Sequence, residues 1–197
     1  ELSEQEIIRR QSLEELKKLG IDPYPADLFD VNVTSEDILE NFPKDNTLYQ
    51  NISIAGRIMT RRIMGNASFA ELQDASGRIQ LYFKRDDICT GEDKTLYNTV
   101  FKKLLDIGDI IGVMGYVFVT QMGEVTIHVR EFKVLCKSLK PLPVVKEKDG
   151  ITYDAFTDPE MRYRQRYVDL VVNPQVREVF VKRTRLMNNM RSYLNAK

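Results

Sequence analysis

The sequence predicts a mainly β fold with flanking helices, built on a small five-stranded barrel that carries a helix between its third and fourth strands. Three observations predict it. From Asn51 the spacing of apolar residues changes from helical to alternating, which marks the main domain. Five alternating runs follow up to Lys137. One stretch of helical spacing, "KTLYNTVFKKLLDIGD", interrupts them after the third.

Ahead of the barrel, "QSLEELKKLGIDPYP" sets Leu13, Leu16 and Leu19 on one helical stripe, with Gly20 as the stop and Pro23 and Pro25 beyond it. "VTSEDILENF" places Thr34 three residues before Asp37, a capping-box-like start to a short helix that buries Ile38, Leu39 and Phe42. The first strand run, 51 to 64, is long, and Gly56 and Gly65 invite a bulge or bend. Runs at 67 to 74 and 78 to 84 join through "DASGR", where Gly77 is available for a positive φ. The interrupting helix carries Leu96, Val100, Phe101, Leu104 and Leu105 and closes at Gly108. In the last run Val125, Ile127 and Val129 alternate in one phase and Phe132, Val134 and Cys136 in the other, so a bulge is expected at Arg130 and Glu131. Five strands with a helix between the third and fourth is the order of an OB-fold, whose second and third strands commonly bind oligonucleotides.

Past the barrel, "LKPLPVVKEKDGITYD" reads as a linker with a charged turn. "DPEMRYRQRYVDLVVN" reads as a helix ending near Asn173, which then caps a second helix with Pro174 at its first position. That helix has an apolar stripe of Val176, Phe180, Met187, Met190 and Leu194 and no stop signal before Lys197, so the chain is expected to be cut from a longer one. The expected organisation is a helical extension over 1–48, the barrel over 49–140, a linker over 141–158 and the start of a further domain over 159–197.

Composition narrows the function. The 197 residues suffice for one good-sized core with helical appendages, in ordinary globular proportions. No apolar run approaches the roughly 18 to 20 residues of a membrane span, and the first residues are acidic and polar, so a cytoplasmic protein is expected. Cys89, Cys136 and the single His128 supply neither a disulfide framework nor a zinc site, and both cysteines read as free thiols. Zero net charge conceals a split: residues 1–48 carry 5 cations against 12 carboxylates, and residues 160–197 carry 9 against 3. The split suits a polyanionic partner and equally a set of solvated helix faces.

No catalytic constellation emerges: glycine-rich phosphate loops are missing, and His128 falls on the polar face of its strand with Thr126 and Arg130. The outward face of the barrel is more informative. Alternation sends Ser68, Ala70 and Leu72 one way and Phe69, Glu71 and Gln73 the other, and in the next run Arg78, Gln80, Tyr82 and Lys84 to the polar side. Single-stranded nucleic acid needs an aromatic platform and cations along its phosphates, which Phe69 with Arg61, Arg62, Arg78 and Lys84 could supply. Alternatively, Phe69 packs across the strands against Tyr82 or Arg61. Strict alternation also puts Arg61 and Arg62 on opposite faces, so both reach RNA only if the strand is bulged or has already entered the loop near Gly65.

"MTRRIMGNASFAELQDASGRIQLY" resembles the anticodon-binding barrel of class II lysyl-tRNA synthetases, and "RYRQRYVDL", with its Gln165, resembles the segment before their first class II motif. With the N-terminal helices the likeness covers essentially the whole chain. The sister aspartyl and asparaginyl enzymes typically end their second strand in leucine-arginine-aspartate, where this chain has "FAELQD". The resemblance implies that Phe69 stacks on a base, that Gln80 contacts it, and that Arg61, Arg62 and Glu124 join the site, with Arg78 and Lys84 in support. It implies a tRNA(Lys) anticodon loop as partner and a homodimeric parent that uses ATP and Mg2+ to activate lysine and charge tRNA. The catalytic motifs lie outside this chain, which is therefore expected to bind without activating lysine.

Lysine anticodons are uridine-rich, and uracil offers two carbonyls flanking an N–H. Arginine, a donor only, suits a carbonyl, and glutamate, an acceptor only, suits the N–H. Gln80 can do either and needs neighbours to fix it, so Arg62 or Glu124 is expected to carry most discrimination against cytosine. The family usually has lysine where this chain has Asn66, which predicts a slightly shallower salt dependence. A free-standing OB-fold binder of single strands is the alternative, and a helical dimerisation surface with a passive barrel is a third reading.

Overall fold

Inward apolar side chains on five strands close on one another in the computed structural model, which describes residues 2–43, 47–143, 146–148, 151–153 and 156–197. The strands are β1 (Ile52–Met64), β2 (Ala67–Gln73), β3 (Arg78–Lys84), β4 (Ile110–Val119) and β5 (Val125–Cys136). They form a closed barrel in the order β1-β2-β3-β5-β4, antiparallel throughout except between β3 and β5. Ala70, Leu72, Ile79, Leu81 and Phe83 point into the core as alternation requires. Two compact units, Glu1–Pro141 and Leu142–Lys197, make up the chain.

β1 serves two neighbours, pairing with β4 over Ile52–Arg57 and with β2 over Arg57–Met64. At the changeover Gly56 lies so close to β2 that a Cβ would stand 2.6 Å from the Gln73 carbonyl oxygen. The bulge falls at neither glycine. Ile58 faces Leu72 and Thr60 faces Glu71, which leaves Met59 as the extra residue and buries Ile58 and Met59 together. The bulge in β5 is where the phase change puts it: Val129 faces Gly115 and Glu131 faces Met114, with Arg130 between.

One end of the barrel is filled by the helix Leu96–Leu104, which is π-helical. Its wider turn, seen in the bond from Leu105 N to Val100 O, brings Tyr97, Phe101 and Leu105 inward at four-residue spacing. Tyr97 thus takes the buried place expected for Leu96; its hydroxyl is satisfied by Ser68 at 2.7 Å, and Phe101 stacks on Phe83 at 4.1 Å.

Helix α1 (Glu4–Lys18) starts at a Ser3–Glu6 capping box and ends at Gly20 with φ +75°, as its sequence requires. Its inner face differs from the leucine stripe: Leu16 is buried, Leu19 is exposed, and Arg9 and Ser12 are buried instead. The Arg9 guanidinium donates to Ile107 O and Ser138 O, fastening α1 to the barrel through carbonyls. In α2 (Ser35–Asn41), capped by Thr34, Ile38 and Phe42 are buried but Leu39 is 44% exposed, contrary to the expectation for that residue. Gly77 has no positive φ, also contrary to expectation. What it provides is room, because a Cβ there would stand 3.2 Å from the Ser35 hydroxyl. The β2–β3 turn is held by Asp74, whose carboxylate accepts from the N–H groups of Ser76 and Gly77 and from the N–H and hydroxyl of Ser35. Ser35 docks α2 onto the turn.

In the second unit the expected linker contains a hairpin of β6 (Lys146–Lys148) and β7 (Ile151–Tyr153). The charged turn at Asp149 and Gly150 lies outside the described residues, as do Glu1, Lys44 and Asp45 of the acidic end. The expected single helix is broken at Gln165 into α4 (Pro159–Arg164) and α5 (Arg166–Val172). Buried Asp169 accepts from Arg162, Arg166 and Asn173, so Asn173 donates backward and does not cap α6 (Pro174–Asn195) with its side chain. Among the described residues no helix is long and apolar enough to cross a membrane.

Candidate nucleic-acid interface

Cross-strand partners share a face, and that rule sorts the candidate residues. β2 and β3 pair Phe69 with Tyr82, Glu71 with Gln80 and Gln73 with Arg78, all outward. After the Met59 bulge, Arg62 stands opposite Phe69 and Arg61 opposite buried Ala70. The bulge therefore turns Arg62 outward and Arg61 toward the barrel end. There the Arg61 guanidinium donates to Phe101 O at 2.5 Å and Leu105 O at 2.6 Å, and burial lowers its pKa. Of the two arginines, Arg61 is committed to helix carbonyls, while Arg62 has no ion-pair or hydrogen-bond partner among the described residues.

Phe69, Arg61, Arg62, Gln80 and Glu124 all line one open groove of about 450 Å³, with the Arg61 guanidinium spent on the helix carbonyls. Phe69 packs across the strands as the alternative expected, one side resting on Tyr82 with ring centroids 5.1 Å apart at 48°, while it faces outward and is half-buried. Tyr82 in turn contacts His128 at 5.1 Å. His128 is more enclosed than a surface histidine, with a side chain 12% exposed. Its Nε2 lies 2.8 Å from Asp87 and its Nδ1 3.0 Å from the Tyr116 hydroxyl, an arrangement that suits donation to the carboxylate and acceptance from the phenol. It acts as a prop behind the aromatic platform.

Gln80 has the neighbours its chemistry calls for. Its Nε2 donates to Glu124 Oε2 at 2.6 Å, and its Oε1 lies 3.0 Å from the Thr126 hydroxyl. A carboxylate accepts only, so it fixes the amide with nitrogen toward Glu124. That bond uses one Nε2 proton and one Glu124 oxygen, which leaves a second donor and a second acceptor on the pair. Thr126 was legible only as a residue in phase with His128, and its role depends on the parallel pairing of Gln80 with Thr126.

The supporting cations are already engaged. Arg78 donates to Gln73 and pairs with Glu71 at 3.2 Å. Lys84 pairs with Asp87 at 3.2 Å, which raises the pKa of its ammonium. Asn66 accepts from Arg85 through its side chain at 2.9 Å. No group of three His, Cys, Asp or Glu side chains that could hold a metal ion forms among the described residues, and both cysteines are free thiols.

Residues 52–135 match the tRNA anticodon family of OB-fold nucleic acid binding domains. Over 196 residues the chain is 64% identical to a lysine–tRNA ligase of Porphyromonas gingivalis strain W83, covering 99% of this chain and 34% of that protein. It is 59% identical to a lysine–tRNA ligase of Azobacteroides pseudotrichonymphae, over 100% of this chain and 39% of the relative, and 60% identical to one of Christiangramia forsetii, over 99% and 34%. The chain thus spans little more than a third of the length of the curated relatives it matches.

Proposed function

We propose, from relatives 59 to 64% identical over essentially the whole chain, that it is the N-terminal anticodon-binding part of a lysine–tRNA ligase and that it reads the uridines of the tRNA(Lys) anticodon loop with Phe69, Gln80, Glu124 and Arg62. The observation that carries the reading is the Gln80–Glu124 bond beside an outward aromatic ring in an open groove. A base stacked on Phe69 would meet a donor and an acceptor in adjacent positions. Uracil presents a carbonyl next to an N–H and matches that order. Cytosine held in the same pose puts an amino group where uracil has its O4 carbonyl and a bare ring nitrogen where uracil has its N–H, which reverses both roles. Arg62, as a donor, adds to a carbonyl or a phosphate. Arg61 serves barrel closure in this reading, and discrimination belongs to Gln80 and Glu124 as a unit with Arg62 beside them.

The whole ligase would activate lysine with ATP and Mg2+ and charge tRNA(Lys), as a cytoplasmic homodimer. We place that chemistry in the parts of such a ligase beyond the third this chain spans, so the purified chain should give no ATP–pyrophosphate exchange. The decisive measurement is titration of the chain with a lysine anticodon stem-loop and with the same RNA carrying one central U-to-C change. The uridine form should bind more tightly, and Glu124→Gln should narrow the difference about 10-fold, the loss of one hydrogen bond to a charged group. Equal affinity for the two RNAs would remove the proposal.

A further inference from the structure

We propose that the groove holds two neighbouring nucleobases and that Leu39 of α2 makes the apolar contact to the second, the one flanking the base on Phe69. The inference rests on the anticodon reading and extends the site to a helix outside the residues matched by the nucleic acid binding family, 52–135. Leu39 is 44% exposed although its neighbours Ile38 and Phe42 are buried, and it lines the same groove as Gln80 and Glu124.

Its place along the groove is set by register. From the β2–β3 turn the outward pairs run Gln73 with Arg78, Glu71 with Gln80, then Phe69 with Tyr82. Because Ser35 docks on Asp74 in that turn, α2 stands at the turn end, and Phe69 lies four residues further along β2, about 13 Å at a strand's rise. One base on Phe69, hydrogen-bonded at Gln80, occupies one end of the groove. The other end, bounded by Leu39 and Arg78, is left for its neighbour on the same strand. A leucine offers a base no hydrogen bond, so the contact adds affinity through buried apolar surface and reads no sequence. Asp74 keeps this wall fixed.

The test uses the whole chain, wild type and Leu39→Ser, and three forms of the lysine anticodon stem-loop: intact, abasic at the first anticodon position, and abasic at the third. Leu39→Ser should weaken the intact RNA about 3- to 10-fold. With one of the abasic RNAs wild type and variant should bind alike, because the contact is already gone, while with the other the difference should persist. Leu39→Met, which keeps an apolar side chain, should restore binding. Identical affinities of wild type and Leu39→Ser for every RNA, or an equal loss on all three, would overturn the second base site. If Phe69→Ala weakens binding and Leu39→Ser does not, this inference fails and the anticodon reading stands. If the wild-type chain binds no stem-loop at all, the anticodon reading fails and takes this inference with it.

Discussion

The groove on β2 and β3 and the cluster around Lys137 are built from the same kinds of side chain and are put to different uses. The Lys137 ammonium is fully buried, 2.5 Å from Asp106 and 2.8 Å from Asp109, and the Ser138 N–H completes the Asp109 carboxylate. Burial pushes the Asp109 carboxyl up while Lys137 pulls it back. Every charge there is answered from within the chain. In the groove Arg62 has no partner among the described residues, and the Gln80–Glu124 pair retains a donor and an acceptor after its internal bond is made. On the proposed reading, residue type does not separate a structural charge from one that meets RNA; what separates them is whether its hydrogen-bonding capacity is used up inside the fold.

Variants should divide along that line. Lys137→Met leaves the buried Asp109 and the half-buried Asp106 facing no cation and should cost about 3 to 5 kcal/mol of stability in urea denaturation, with stem-loop affinity unchanged under conditions where the chain stays folded. Phe69→Ala should do the reverse, losing about 1 to 3 kcal/mol of RNA binding with little change in the denaturation midpoint. A variant at either position that moved both readouts equally would erase the distinction.

Asp74 lies between the two cases, being satisfied internally while holding a wall of the groove. Burial raises its pKa, but the bonds from Ser35, Gly77 and Ser76 prevail and hold it below the ordinary 3.8. Its contribution is therefore complete above the unfolded value and is lost as pH falls through the folded one. Wild type should exceed Asp74→Asn in stability at neutral pH, and the gap should close on acidification below 3.8 in denaturation curves recorded against pH. The smallest effect belongs to Asn66→Lys, which should steepen the salt dependence of RNA binding by about 0.7 in the log–log slope if the new cation meets a phosphate.

Much of this was legible in the residues because it is local. Period-two alternation put Phe69 and Gln80 outside, the phase change in β5 gave its bulge, and Thr34 and Gly20 marked the start of one helix and the stop of another. What was not legible depends on distant partners. The choice between Arg61 and Arg62 turns on one extra residue, Met59, whose place is set by pairing with β2. The exposure of Leu39 follows from how α2 docks on Asp74, 35 residues further along the chain. The π-helix looked like an ordinary one because its apolar residues satisfy both spacings until the barrel end selects among them. The break at Gln165 accompanies Asp169 gathering Arg162, Arg166 and Asn173, a cluster in which three of the four charges of "RYRQRYVDL", Arg162, Arg166 and Asp169, are spent on shape.

The extra residue in β1 also acts as an expansion joint. It lets the half of the strand facing β4 and the half facing β2 each keep their own phase. Removing Met59 would restore a regular ladder, with Ile58 and Thr60 meeting the partners they already have. A deletion anywhere between Thr60 and Met64 would instead rotate side chains at the mouth of the groove, Arg62 among them. Tolerance to shortening in this strand should thus be concentrated at a single position.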